Sequence, residues 1–165
     1  DFLIGALRDE AVAGDVKQEH LFYDPLSIAL RSGHPLTARK RVRVADLAAY
    51  PWIMPRSGSP LRAHFESLFA AAGVPPPAQT VQCNSLIAAR AFLLEGDYLM
   101  LSSTHQIHYD VRAGLLAALP HPGGVVTRSI GLTMRRNWQS TPAQSRLLDV
   151  LREVSSRDWR SHDAR

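Results

Sequence analysis

The chain has 165 residues, 45% of them apolar and 21% charged. That supports one ordinary domain or two small interlocked ones and excludes a disordered polypeptide. The formal charge of +4, from 19 basic and 15 acidic side chains, is mild and scattered, unlike the one-sided basic face of a nucleic-acid reader. The densest basic run, Ala38 to Arg43, reads as a solvated loop edge. One cysteine, Cys83, gives neither a disulfide framework nor a multi-cysteine zinc site, which fits a reducing, cytoplasmic setting. No apolar run approaches the ~18 residues of a membrane span. The chain opens on Asp1 with apolar residues at positions 2 to 4, so it reads as a piece of a longer protein.

In chain order, Phe2 to Leu7 reads as a short buried strand, followed by a polar loop from Arg8 to Asp15. Val16 to Tyr23 is a second strand and Leu26 to Leu30 a third, closed by a turn at Gly33 and Pro35. Val44 to Tyr50 suits a short helix with Asp46 in its first turn, and Trp52 to Pro55 a brief strand. Ser59 before Pro60 signals a helix N-terminus. Leu61, Phe65, Leu68, Phe69 and Ala72 share one face of that helix, and Gly73 stops it. A linker rich in proline, Val74 to Asn84, leads through a strand to Ser85. Ser85 opens a helix whose Ile87, Ala91 and Leu94 share a face and which Gly96 ends. Tyr98 to Ser103 is a strand, Thr104 caps a helix to about Arg112, Leu115 to Leu119 is a strand, and Thr127 to Met134 a longer one. Thr141, Pro142 and Gln144 spell a capping box with proline at the first position. Leu147, Leu148, Leu151 and Val154 follow as a buried stripe.

Strands alternating with helices imply an α/β fold with substantially parallel sheets. In such sheets ligands bind outside the carboxyl ends of the strands. Three strand-to-helix junctions carry hydroxyl or amide groups: Ser57 to Ser59, Asn84 with Ser85, and Ser102 to Thr104. If their strands are parallel neighbours, the junctions line one edge. Helix N-termini there offer unpaired N–H groups and partial positive charge to a carboxylate, phosphate or hydroxyl-rich ligand. The competing reading of each is an ordinary helix cap. Arg56 opens the first junction, either to pair with an anionic ligand or as a surface arginine.

The order of segments resembles the effector-binding domain of LysR-type transcriptional regulators. The matching pieces are "DFLIGAL", "PLSIALRSGHPL", "VRVADLAAYPWIMP", "SPLRAHFESLFAAAG", "SLIAARAFLLEGDYLMLSS", "VRAGLLAALP" and "SIGLTMRRN", then a final amphipathic helix. The resemblance implies a type 2 periplasmic-binding-protein-like α/β fold, with two subdomains joined by two crossover strands and the effector in the cleft between them. Transferred here, residues 25–126 make the second subdomain, and residues 1–24 with 127–165 the first. The first is incomplete, because the winged helix-turn-helix, the linker helix and one strand and helix of the first subdomain would precede position 1. The three polar junctions put the expected effector site at Arg56, Ser57, Ser59, Asn84, Ser85, Ser102 and Ser103, facing Gly5 and Ala6 of the first subdomain. Gly5 fits because a strand end without a side chain admits a ligand to the backbone. A solute-binding protein of a transporter shares the architecture and is the alternative. The resemblance further implies a small-molecule effector, anionic or hydroxyl-rich, a homodimer or tetramer, and DNA contact only through the missing N-terminal part. The candidate surface for self-association is the apolar face of the Leu61 to Ala72 helix, with Phe65, Leu68 and Phe69; the competing reading of all three is core.

Other chemistry is not supported. His105, His108 and Asp110 offer two ligands at helical spacing without an evident third, so no metal or cofactor is expected. No nucleophile pattern, assignable base or phosphate-binding glycine loop is present, and the chain does not read as an enzyme. Cys83 reads as a small core residue rather than a redox sensor, and Trp52, Trp138 and Trp159 as packing residues.

Overall fold

The computed structural model describes residues 2–8 and 14–156. Residues 9–13 of the expected loop, and Trp159, lie outside that range. The chain divides into two compact units, residues 1–24 with 128–165 and residues 25–127. The strands are β1 (Phe2–Ala6), β2 (Val16–Arg31), β3 (Trp52–Met54), β4 (Thr80–Gln82), β5 (Leu99–Ser103), β6 (Leu116–Pro120) and β7 (Thr127–Arg135). The helices are α1 (Val44–Leu47), α2 (Pro60–Ala71), α3 (Leu86–Glu95), α4 (Thr104–Arg112) and α5 (Pro142–Ser156), with a 3-10 turn at Pro35–Ala38. The two strands expected between Val16 and Leu30 are one strand of 16 residues.

In the unit of residues 25–127, the strand order is β6-β2-β5-β3-β4. β3 pairs parallel with both β4 and β5, whereas β2 pairs antiparallel with β5 and β6. The sheet is therefore mixed, with a parallel core of three strands. Period-two alternation sends Ile28, Leu30, Trp52, Met54, Leu99 and Leu101 to one face, where Phe65, Leu68 and Phe69 of α2 close over them. Ala29, Ile53 and Met100 go to the other face, against Ala89 and Leu93 of α3 and Ile107 of α4. Phe65, Leu68 and Phe69 are thus core residues and offer no surface for self-association. α3 also turns a different face inward than expected: Ala89 and Leu93 are buried, while Ile87 is 84% exposed. α2 ends as its sequence indicates, with Gly73 at φ 63 and the Val74 N–H bonded to the Phe69 carbonyl at 3.1 Å.

In the other unit, β7 lies between β1 and the first half of β2. A Cβ on Gly131 would overlap the Glu19 carbonyl oxygen, so the close approach of β7 to β2 requires glycine there. The capping box of α5 is present, with the Thr141 N–H donating to Gln144 Oε1 at 2.9 Å and the Gln144 N–H to Thr141 Oγ1 at 3.3 Å. Its stripe is only half buried: Leu148 packs with Leu132 and Met134, and Leu151 lies alongside. Leu147 and Val154 remain 49% and 57% exposed.

The turn after β2 is held by His34, which is 1% exposed. Its Nδ1 accepts the Leu36 N–H at 3.1 Å, so Nε2 carries the proton and donates to the Asp97 carbonyl at 3.3 Å. Tyr50 packs on the ring, and Arg31 pairs with the Asp97 carboxylate at 2.6 Å. Burial pushes the imidazole below its usual 6.5, against the smaller opposing pull of Asp97. The unfolded chain therefore binds this proton at a higher pH than the native one. Stability is fully present above about 6.5 and falls as the pH drops through the lower native value. His34→Asn, which retains a short acceptor for Leu36, is expected to weaken that acid dependence. Urea unfolding compared at about pH 7.5 and about pH 5 checks it.

Candidate functional site

Because β5, β3 and β4 are adjacent and parallel, their carboxyl ends lie along one sheet edge, and α2, α3 and α4 each begin there. The three junctions anticipated from sequence are thus brought together. At the first, Ser59 caps α2: its Oγ accepts the Arg62 N–H at 3.2 Å and donates to the Arg56 carbonyl at 2.9 Å. Gly58 at φ 74 makes the bend. At the second, Ser85 Oγ accepts the Ala88 N–H at 3.3 Å. Asn84 reaches across to the first junction, its Oδ1 accepting the Arg56 N–H at 3.1 Å. That bond locks two loops together. At the third, Ser103 rather than Thr104 is the cap, its Oγ accepting from the His105 and Gln106 N–H groups at 3.1 and 3.4 Å. Ser102 donates to the Ser103 carbonyl at 3.4 Å.

Ser59, Ser85 and Ser103 therefore all serve as caps, whatever else they do. Ser102 and Ser103 are buried, whereas Arg56, Ser57, Asn84 and Ser85 are exposed. No acidic side chain occupies the first turn of α2, α3 or α4. The positive ends of three helices are consequently not neutralised from within. The Arg56 guanidinium has no ion-pair partner among the described residues, while Arg62 is engaged by Glu66 at 2.7 Å. Cys83 is half-buried and its thiol donates to the Ser85 carbonyl at 3.3 Å. Gly5 and Ala6 belong to the other unit, paired with Gly131 and Ile130.

Sequence reasoning overlooked Ser27. It lies on β2 directly opposite Ser102, is 5% exposed, and its Oγ has no hydrogen-bond partner among the described residues. The available signal was a lone hydroxyl within the apolar run "LSIAL". No group of three or more metal-ligating side chains occurs among the described residues, and Asp110 pairs with Arg90 at 2.7 Å.

Residues 1–156 match the family model of the LysR substrate binding domain. The chain belongs to that family. It is 34% identical over 154 residues to the HTH-type transcriptional regulator GalR of Pseudomonas putida, an alignment covering 93% of this chain and 38% of the regulator. In fold it is similar to the Synechocystis PCC6803 CcmR regulatory domain in complex with 2-PG, with a TM-score of 0.79, 20% identity, and coverage of 96% of this chain and 74% of that one. It is also similar to the effector-binding domain of QuiR in complex with shikimate, with a TM-score of 0.72, 21% identity, and coverage of 96% and 73%. The α/β architecture expected from the LysR resemblance is the one these regulatory domains share. The curated relatives it matches are HTH-type transcriptional regulators, and the chain spans about two fifths to one half of the length of the first of them. Among the described residues no helix is long and apolar enough to cross a membrane.

Proposed function

We propose that the chain is the effector-sensing part of a LysR-type regulator, binding a small anionic or hydroxyl-rich metabolite at the edge where α2, α3 and α4 begin. The carrying observation is the convergence of three helix N-termini, without acidic first-turn residues, at the carboxyl ends of three adjacent parallel strands. Arg56, Ser57, Ser59, Asn84, Ser85, Ser102 and Ser103 form the site on this side. The expectation for Gly5 and Ala6 rests on the family resemblance alone. The relatives' ligand-bound regulatory domains favour the same class of partner.

Effector occupancy would bias the regulator between states that differ in DNA affinity. DNA contact would come from a helix-turn-helix region of the kind named in the HTH-type relative, of which this chain spans 38%. A cytoplasmic location follows from that role. The two units are proposed to be the family's two subdomains, the first completed by upstream chain. Leu3, Ile4 and Val154, at 63%, 48% and 57% exposure, are apolar surface that such a segment could cover. A homodimer or tetramer is proposed to use Leu86 and Ile87 of α3, 43% and 84% exposed, as its apolar contact.

Ser85→Ala tests the site. As a cap alone, Ser85 is worth about 1 kcal/mol of unfolding free energy. As an effector contact, its loss is expected also to weaken binding by about 0.5–1.5 kcal/mol, or about 1.5–3 for a charged ligand group. Denaturant unfolding measures the first effect and calorimetric titration the second. A changed stability with an unchanged dissociation constant removes Ser85 from the site.

A further inference from the structure

We propose that Ser27, paired with Ser102, forms a buried slot that selects a hydroxyl group of the effector; this rests on the placement of the effector site given above. The two serines are direct partners in the antiparallel β2–β5 ladder, so their side chains stand on the same face. That face is the one covered by α3 and α4, since Ala29 and Met100, two residues along each strand, pack there with Ile107. On the other flank of Ser27 its β6 partner is Pro120, whose ring offers no hydrogen-bonding group. α4 starts directly after Ser103, and its first residue is tied to β2 by the Thr104 hydroxyl donating to the Pro25 carbonyl at 3.4 Å.

Serine at position 27 is not required by packing. Two residues along on the same face the strand carries Ala29, fully buried, so alanine suits this layer. A hydroxyl without a partner in such a place is a net cost, and native structures retain few of them outside functional positions. The polarity of the two serines also differs. Ser102 commits its hydrogen to the Ser103 carbonyl and keeps free lone pairs, whereas Ser27 keeps its hydrogen free. A ligand hydroxyl satisfies both at once, accepting from Ser27 and donating to Ser102. A carboxylate oxygen could accept from Ser27 but would face the lone pairs of Ser102. Sites built to pair with a hydroxyl discriminate strongly against the analogue that lacks it.

The test uses this chain and matched pairs of small acids: shikimate with cyclohexenecarboxylate, glycerate with propionate, mandelate with phenylacetate. A thermal-shift screen of each pair selects a binder, which is then titrated into wild type, Ser27→Ala and Ser102→Ala. The hydroxylated member is expected to bind wild type more tightly. Ser27→Ala should weaken it about five- to ten-fold, the loss of a neutral hydrogen bond. The same variant should leave the deoxy partner's affinity unchanged and melt no lower than wild type. An unchanged dissociation constant in Ser27→Ala, with a weakened one in Ser102→Ala, leaves the site in place and assigns Ser27 to an internal water instead. A lower melting temperature for Ser27→Ala overturns the inference as well, because it reveals a structural partner. If no acid binds wild type, or neither substitution alters binding, the placement of the effector site falls with it.

Discussion

Phe65→Ala is expected to destabilise the chain by about 3–5 kcal/mol, the cost of removing a phenyl ring from a closed core. Phe65 is 2% exposed and sits between Trp52 and Phe69, with ring centroids 4.9 Å from each. Against Trp52 the rings meet edge to face at 67°, the arrangement aromatic quadrupoles favour. Domains of this size are stable by only about 5–15 kcal/mol, so the variant should lose a large share of its margin. Urea unfolding followed by tryptophan fluorescence measures it. Because Phe65 is a core residue, the variant should change the unfolding midpoint and leave the sedimentation coefficient of the folded protein alone.

Arg128→Met is expected to cost about 1.5–3 kcal/mol, the loss of a hydrogen bond between a guanidinium and a buried carboxylate. Arg128 Nε donates to Asp24 Oδ2 at 2.7 Å, and their side chains are only 16% and 3% exposed. The exposed Arg152–Glu19 pair, at 2.7 Å with side chains 43% and 37% exposed, should contribute at most about 1 kcal/mol. Asp24 and Arg128 stand where the chain leaves one unit and returns to it, Asp24 just before Pro25 and Arg128 just after Thr127. Removing both charges together, in Asp24→Asn with Arg128→Met, should cost less than Arg128→Met alone. Equality of the single and double variants in urea unfolding would show that the pair is not what holds this position.

The helix starts were legible because their signals are local. Ser59 before Pro60, and Thr141 before Pro142 and Gln144, specify caps whose partners lie within three residues, and those bonds are present. The inward face of α3 was not. Its sequence, "LIAARAFLLE", is so uniformly apolar that several stripes compete, and only the sheet beneath it selects Ala89 and Leu93. β2 was read as two strands because Asp24 and Pro25 look like breakers. Asp24 is satisfied by Arg128, 104 residues away in sequence, and Pro25 falls one residue before the ladder to β5 begins at Leu26. Such remedies are tertiary and leave no local trace.

The junction residues were legible as a group, since strand-to-helix polarity recurs three times. That their strands are parallel neighbours could only be assumed from sequence, and β3 between β4 and β5 supplies it. Ser27 escaped because its significance depends on a register, opposite Ser102 and without a hydrogen-bond partner, that no local pattern encodes.

The most direct test of the effector site is a backbone amide NMR titration of the chain with the tightest acid from the thermal-shift screen. The account predicts that the largest shift changes fall on three separated stretches at once: Arg56 to Arg62, Asn84 to Ala88, and Ser102 to Gln106. Changes concentrated elsewhere, with those three stretches silent, would contradict it.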